Sequence, residues 1–141
     1  MAVDALIDTG AMLAILDKSD QWHSSCLATV RQLRLPLLTS EAALAELFHM
    51  VGDSPFKKEA TWEFLLSGTI LLGSIQHSEL PAIHSLMSRY ADRPMDFADA
   101  TLVYLAARES LETILTVDQT DFSVYRIEGK RHFRVLPLQQ P

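Results

Sequence analysis

Cysteine is almost missing from this chain. The single thiol, Cys26, excludes an internal disulfide and suits a reducing compartment. It lies in an apolar helical stretch, which marks it as core and not as a nucleophile. No apolar run approaches the roughly 18 residues that a bilayer span requires. The start, MAVDALIDTG, carries an acid and no basic region, so it does not read as a secretion signal. A soluble, cytoplasmic protein without membrane attachment is expected. Basic charge is also scarce: 12 Lys and Arg stand against 18 Asp and Glu, a net charge of −6. A general nucleic-acid coat would be basic, and this chain is not one. The five histidines are scattered, without metal-ligand spacing. A phosphate-cradling glycine loop, a dinucleotide fingerprint and a nucleophile elbow are all absent. Aromatic residues make up 8%, too ordinary a share to argue for a base-stacking platform, and they are expected in the core or at an interface.

What is present is a chain of 141 residues, the size of one domain, and residues 1–141 are expected to form a single one. Short β-type runs alternate with helical ones. Strands are expected at 2–7, 37–39, 69–75, 113–117 and 133–137, the last at a sheet edge. Helical patterning covers 10–19, Trp22 to Leu35 before Pro36, and a Ser40-capped segment to Val51. It returns in a segment after Ser54-Pro55 to Leu66, then from Ser78 to Tyr90 and from Asp96 to Glu109. A loop with one helical turn precedes the last strand. Strands separated by helices argue for an α/β fold with helices on both faces of a parallel sheet. The runs LIDTGAMLAIL and TILLG fit strands buried on both sides. In such folds sites form beyond the carboxyl ends of the strands, where the strand order reverses.

Two acids fall at that edge. Asp8 directly follows the first strand and Asp118 the fourth. Each alone also suits a helix cap or a turn. Asp99 falls within the arc formed by Leu102, Val103 and Ala106 on its helix, and Asp96 lies one turn earlier. A carboxylate on a core-facing stripe is costly unless paired or bound to a cation. Glu46 differs. The apolar stripe of its helix is Leu44, Leu47, Phe48 and Val51, and periodicity turns Glu46 to solvent, no different from Glu41.

Taken together, IDTGAMLAIL, TSEAALAEL, PMDFADATLVYLA and ILTVDQTDF resemble the four ordered segments of a PIN domain, over nearly the whole chain. The resemblance implies a three-layer α/β/α sandwich around a central, mostly parallel five-stranded sheet. It implies a Mg²⁺- or Mn²⁺-dependent endoribonuclease with Asp8, Glu46, Asp99 and Asp118 as catalytic and metal residues, and Asp96, Asp121, Thr116 and Ser40 in support. The general look is that of VapC-like toxins of toxin–antitoxin pairs. That implies a homodimer and an antitoxin peptide over the site. Arg93, Arg126, Lys130 and Arg131, with Arg134 nearby, are the basic residues expected to meet RNA phosphates. The alternative in another class is a non-catalytic PIN-like module that binds RNA or protein. Other doubly wound carboxylate proteins fit less well. A haloacid-dehalogenase-type phosphatase would want an acid where Gly10 stands, and a receiver domain would want a lysine that the TVDQ segment does not supply.

Overall fold

Leu6 and Ile7 point to opposite sides of their strand, and the whole architecture follows from that alternation. The computed structural model describes residues 2–141. Five parallel strands form one sheet in the order β3-β2-β1-β4-β7: β1 (Leu6–Ile7), β2 (Leu37–Ser40), β3 (Ile70–Gly73), β4 (Thr113–Leu115) and β7 (Arg134–Leu136). Leu6, Leu38 and Ile114 enter one core with α5 (Leu80–Arg89), α6 (Phe97–Arg108) and α7 (Gln119–Val124). Ile7, Leu37, Leu115 and Leu136 enter the other, with α1 (Thr9–Leu16), α2 (His23–Gln32) and α3 (Glu41–Val51). Helix α4 (Pro55–Leu66) adds Phe64 to that second layer. The three-layer sandwich expected from the sequence is the fold observed, and its sheet is parallel throughout.

Local chemistry sets the element ends. Asp8 caps α1 by accepting the Ala11 N–H at 2.9 Å, Ser40 caps α3 through Ala43 at 3.1 Å, and Ser54 caps α4 ahead of Pro55. Gly73 sits on β3 because an added Cβ would meet the Leu105 side chain of α6 at 2.9 Å.

Several boundaries differ from the sequence reading. The first strand is confined to Leu6–Ile7, and α1 claims the apolar run from Thr9. Helix α2 ends at Gln32, four residues short of Pro36, with Leu33 in extended conformation. TILLG is not buried on both sides. β3 is an edge strand, and Leu71 and Leu72 are exposed. Before the last strand the chain forms α7 and then an unanticipated antiparallel hairpin, β5 (Arg126–Ile127) with β6 (Arg131–His132). Its turn holds Glu128 and Gly129 at φ 55° and 72°. Cys26 is fully buried, and burial pushes its thiol up to about 12, so it is a core residue. Among the described residues, no helix is long and apolar enough to cross a membrane.

Candidate metal centre

The strand order reverses between β1 and β4, which both pair with neighbours leading in opposite directions across the sheet. Beyond their carboxyl ends lies a cleft of about 210 Å³ lined by Asp8, Glu46, Asp96, Asp99, Asp118 and Asp121, with Thr9, Gly10, Pro94, Ala98 and Leu102 completing its walls. Acids from four separate segments are thus drawn to one place.

Asp8 is the most enclosed of them, at 4% exposure. One carboxylate oxygen accepts from the Ala11 amide at 2.9 Å, and the other accepts from the Thr116 hydroxyl. Thr116 in turn accepts from the Asp118 amide at 2.9 Å, so one buried hydroxyl joins the two strand-end acids. Burial pushes Asp8 up to about 7, against the opposing effect of those two hydrogen bonds, and Asp118 and Glu46 add like-charge repulsion. Close approach is built in at Gly10, where a Cβ would lie 2.4 Å from Val117 Cγ2. Any larger residue would push away the segment that carries Asp118.

Helix α6 brings the second pair. Asp96 caps it by accepting the Asp99 amide at 2.8 Å, and Asp99 accepts the Asp96 amide at 3.4 Å. The capping role and the place in the cleft therefore coexist in the same two residues. Burial holds the Asp99 carboxyl well above the usual carboxylate range, and Asp96 and Asp118 add repulsion. Asp118 is raised by burial, then by Asp121 and Asp96.

Glu46 overturns the periodicity argument. It does not face open solvent; it is half-buried and lines the cleft, raised by burial and by Asp96 and Asp118. Helix α3 packs against both α1 and α6, so the flank beside its apolar stripe looks into the space between them. Ser40 lies outside the lining. Its hydroxyl bonds Thr101 of α6 at 2.8 Å, tying together the helices that carry Glu46 and Asp99.

The basic candidates separate. Arg93 reaches Asp121 at 3.1 Å on the rim. Arg126 is spent elsewhere, since its guanidinium donates to the carbonyls of Ser123, Val124 and Tyr125 at the end of α7. Lys130 and Arg131 sit on the hairpin, and Arg131 pairs with Glu128 at 3.7 Å. Glu128 packs near Val103 and Ala107, toward the far end of α6 from Asp99. Arg134 borders a different groove, between α2 and the C-terminal segment. None of these five lines the acidic cleft itself, and Arg93 meets it only through Asp121.

Whether the cleft suits a metal ion follows from its donors. Among the described residues, no three acids, cysteines or histidines stand close enough to form a ready-made cage. Mg²⁺ does not need one. It takes oxygen donors, keeps most of its waters and uses one or two carboxylates directly. Hard oxygen donors with raised proton affinity and a single cation at the rim fit that demand.

Comparison with known proteins bears on the fold and the family. A PIN domain model matches residues 5–128. Ribonuclease VapC26 of Mycobacterium tuberculosis is 30% identical over 134 residues, 94% of this chain and 99% of that protein. Two solved structures share the fold at 16% identity. One is the toxin VapC20 of Mycobacterium tuberculosis, which cleaves the sarcin-ricin loop; its TM-score is 0.73, over 84% of this chain and 94% of that one. The other is VapBC2 of Rickettsia felis bound to a fragment of promoter DNA, with a TM-score of 0.67 over 96% of this chain and 100% of that one. With the strand order, the acidic cleft and a matched segment that spans both cores, the chain belongs to the PIN-domain family.

Proposed function

We propose that this chain is a single-domain, divalent-metal-dependent endoribonuclease and the toxin of a toxin–antitoxin pair, working in the cytoplasm. One observation carries the reading: the cleft beyond β1 and β4 gathers Asp8, Glu46, Asp99 and Asp118 without a cation of its own in their midst. Such a cluster repels itself and is costly to bury. The full-length likeness to a ribonuclease supports the same chemistry.

Asp8, Asp99 and Asp118 would hold Mg²⁺ or Mn²⁺. When bound, the ion supplies the charge that activates a water and stabilises the leaving oxygen of a phosphodiester. Thr116 fixes the Asp8 carboxylate through its hydroxyl and the Asp118 backbone through its oxygen. Glu46, which lines the same cleft, would orient the attacking water and take its proton, and burial raises its basicity for that task. Arg93, with Asp121 steadying it, is the phosphate partner at the rim.

Partner binding fits the surface. Leu13, Leu16, Met50, Val51, Phe56 and Ala60 line a groove of about 290 Å³, and Phe56 is 84% exposed. An apolar groove of this kind suits an antitoxin segment or a second subunit.

The test is cleavage of a mixed RNA pool by purified protein, with Mg²⁺ or Mn²⁺ and with EDTA. Cutting is expected with either ion and not with EDTA. Asp99→Asn is expected to lower it about 10²–10³-fold, the scale of losing one group that stabilises transition-state charge. A wild-type protein that cuts none of the RNAs under any metal condition would sink the enzyme reading in favour of a binding module.

A further inference from the structure

Three further buried hydroxyls, Thr9, Ser40 and Thr101, join the helices around the acids. Thr9 opens α1, directly after Asp8, and donates to the Ala43 carbonyl of α3 at 2.9 Å. The Ala43 amide donates to Ser40 at 3.1 Å. Ser40 Oγ stands 2.8 Å from Thr101 Oγ1 of α6, which stands 2.6 Å from the Ala98 carbonyl. Thr9 and Ala98, the two ends of this series, both line the cleft.

A hydroxyl has one proton to give. The Ala98 carbonyl only accepts, so every proton is used when Ser40 donates to Thr101 and Thr101 to Ala98. Within α6 the Ala98 carbonyl alone would satisfy Thr101; the contact with Ser40 is one that helix formation does not require. A buried polar series satisfied at each step makes rigid what it joins. What it joins here is the first turn of α3, to α1 on one side and α6 on the other. Ala43 precedes Glu46 by three residues, so the two share a side of that helix. No hydrogen bond from the described residues holds the Glu46 carboxylate, so its place depends on where α3 stands.

We propose that Thr101 is a positioning residue for Glu46: through Ser40 it fixes α3 against α6 and so sets the Glu46 carboxylate relative to Asp99. This rests on the reading above, in which Glu46 takes the proton of the attacking water while Asp8, Asp99 and Asp118 hold the ion. Asp99 keeps its own tie to Asp96 within α6. Loss of the Thr101 hydroxyl therefore displaces the base and spares the metal donors.

The experiment measures kcat and KM for RNA cleavage, and Mn²⁺ binding by titration calorimetry. The proteins are wild type, Thr101→Val, Thr101→Ser, Glu46→Gln and the double variant Thr101→Val with Glu46→Gln. Thr101→Val is expected to lose about tenfold in kcat and to keep the wild-type KM and Mn²⁺ affinity. Thr101→Ser, which retains the hydroxyl, is expected to recover kcat. In the Glu46→Gln background Thr101→Val is expected to cost nothing more, because a residue that acts through Glu46 has nothing left to place. Thr9→Val cuts the same series at α1, is expected to show the same split, and carries the test if Thr101→Val does not fold. Unchanged kcat in Thr101→Val overturns the proposal, as does a full further loss in the Glu46→Gln background. Parallel loss of kcat and Mn²⁺ affinity does the same, since the effect would then be general loosening. Wild type that cleaves and is slowed by Glu46→Gln upholds the role of Glu46 whatever Thr101→Val does. Unchanged kcat in Glu46→Gln, or no cleavage by wild type, overturns that role and the proposal together.

Discussion

Glu79 and Asp8 are both carboxylates held by neighbouring donors, yet their proton affinities move in opposite directions. Glu79, beside α5, accepts from Tyr104 at 2.5 Å, from the Gln76 amide at 2.8 Å and from Arg108 at 3.1 Å. Those bonds, the Tyr104 one foremost, pull it down to about 2. Asp8 also accepts from a hydroxyl and an amide, but burial outweighs them and it rises to about 7. The difference is a cation and water. Glu79 has the Arg108 guanidinium and a side chain still 15% exposed; Asp8 has no such cation, is more deeply buried, and its charged neighbours are Asp118 and Glu46. Hydrogen bonds alone do not make a buried carboxylate comfortable. A fold that surrounds one acid with donors and leaves another among like charges has used the first as structure and left the second unpaired, the setting that the proposed metal ion would relieve.

Removing each charge should separate the two most widely. Asp8→Asn keeps an oxygen for the Ala11 amide and loses the metal donor. RNA cleavage should fall about 10²–10³-fold, with the melting temperature in EDTA at pH 8 unchanged or raised. Glu79→Gln should leave cleavage at the wild-type rate and lower the melting temperature, because the Tyr104 and Arg108 donors lose their anion. Activity assays beside thermal melts would check both. Equal loss of activity in the two variants would erase the distinction.

Acidity gives the next largest contrast. Asp8 has a folded value of about 7 against 3.8 unfolded, so between those values the fold carries a proton that the open chain does not. Stability from this group is full below 3.8 and is lost as pH rises through about 7. Asp99 is shifted the same way. Glu79 runs opposite: its contribution is present above 4.5 and is lost as pH falls through about 2. Metal-free protein should therefore melt progressively earlier as pH rises from about 4 to about 7. Mg²⁺ should flatten that slope, since binding to the folded state alone stabilises it. A melting temperature in EDTA that rises over the same range would contradict the burial of unpaired acids.

These contrasts explain which residues are legible in the sequence. Asp8 and Asp118 are legible because each directly follows a strand, and parallel sheets place such positions at one edge. Asp99 is legible because the 3.6-residue period sets it within an apolar arc. Glu46 is not, because its own helix offers no sign that the flank beside the stripe faces α6; the resemblance alone singles it out. β3 reads as buried because ILLG is apolar, and strand order, which decides that it is an edge, is a long-range property. The β5–β6 hairpin escapes because two-residue strands show no alternation, with Gly129 its one signal. Arg126 cannot be told from a free base, since its role depends on where α7 stops.

Arg93 offers the finest contrast, because among the described residues it is the one cation paired with a cleft acid. Its pair with Asp121 is partly exposed, 35% and 38% for the two side chains. Pairs of this kind are worth about 0–1 kcal/mol, so Arg93→Gln should hardly alter melting. Its effect should appear on RNA. Removing a cation that neutralises one phosphate reduces the log–log dependence of binding on salt by about 0.7 for a single strand. Arg93→Gln should raise KM at low salt and flatten that dependence by this amount. The same change at Lys130 or Arg131, on the hairpin away from the cleft, should do less. If instead the hairpin variants flatten the salt dependence and Arg93→Gln does not, the RNA path runs along the hairpin, and Arg93 would belong with Arg108 as a partner of structural acids.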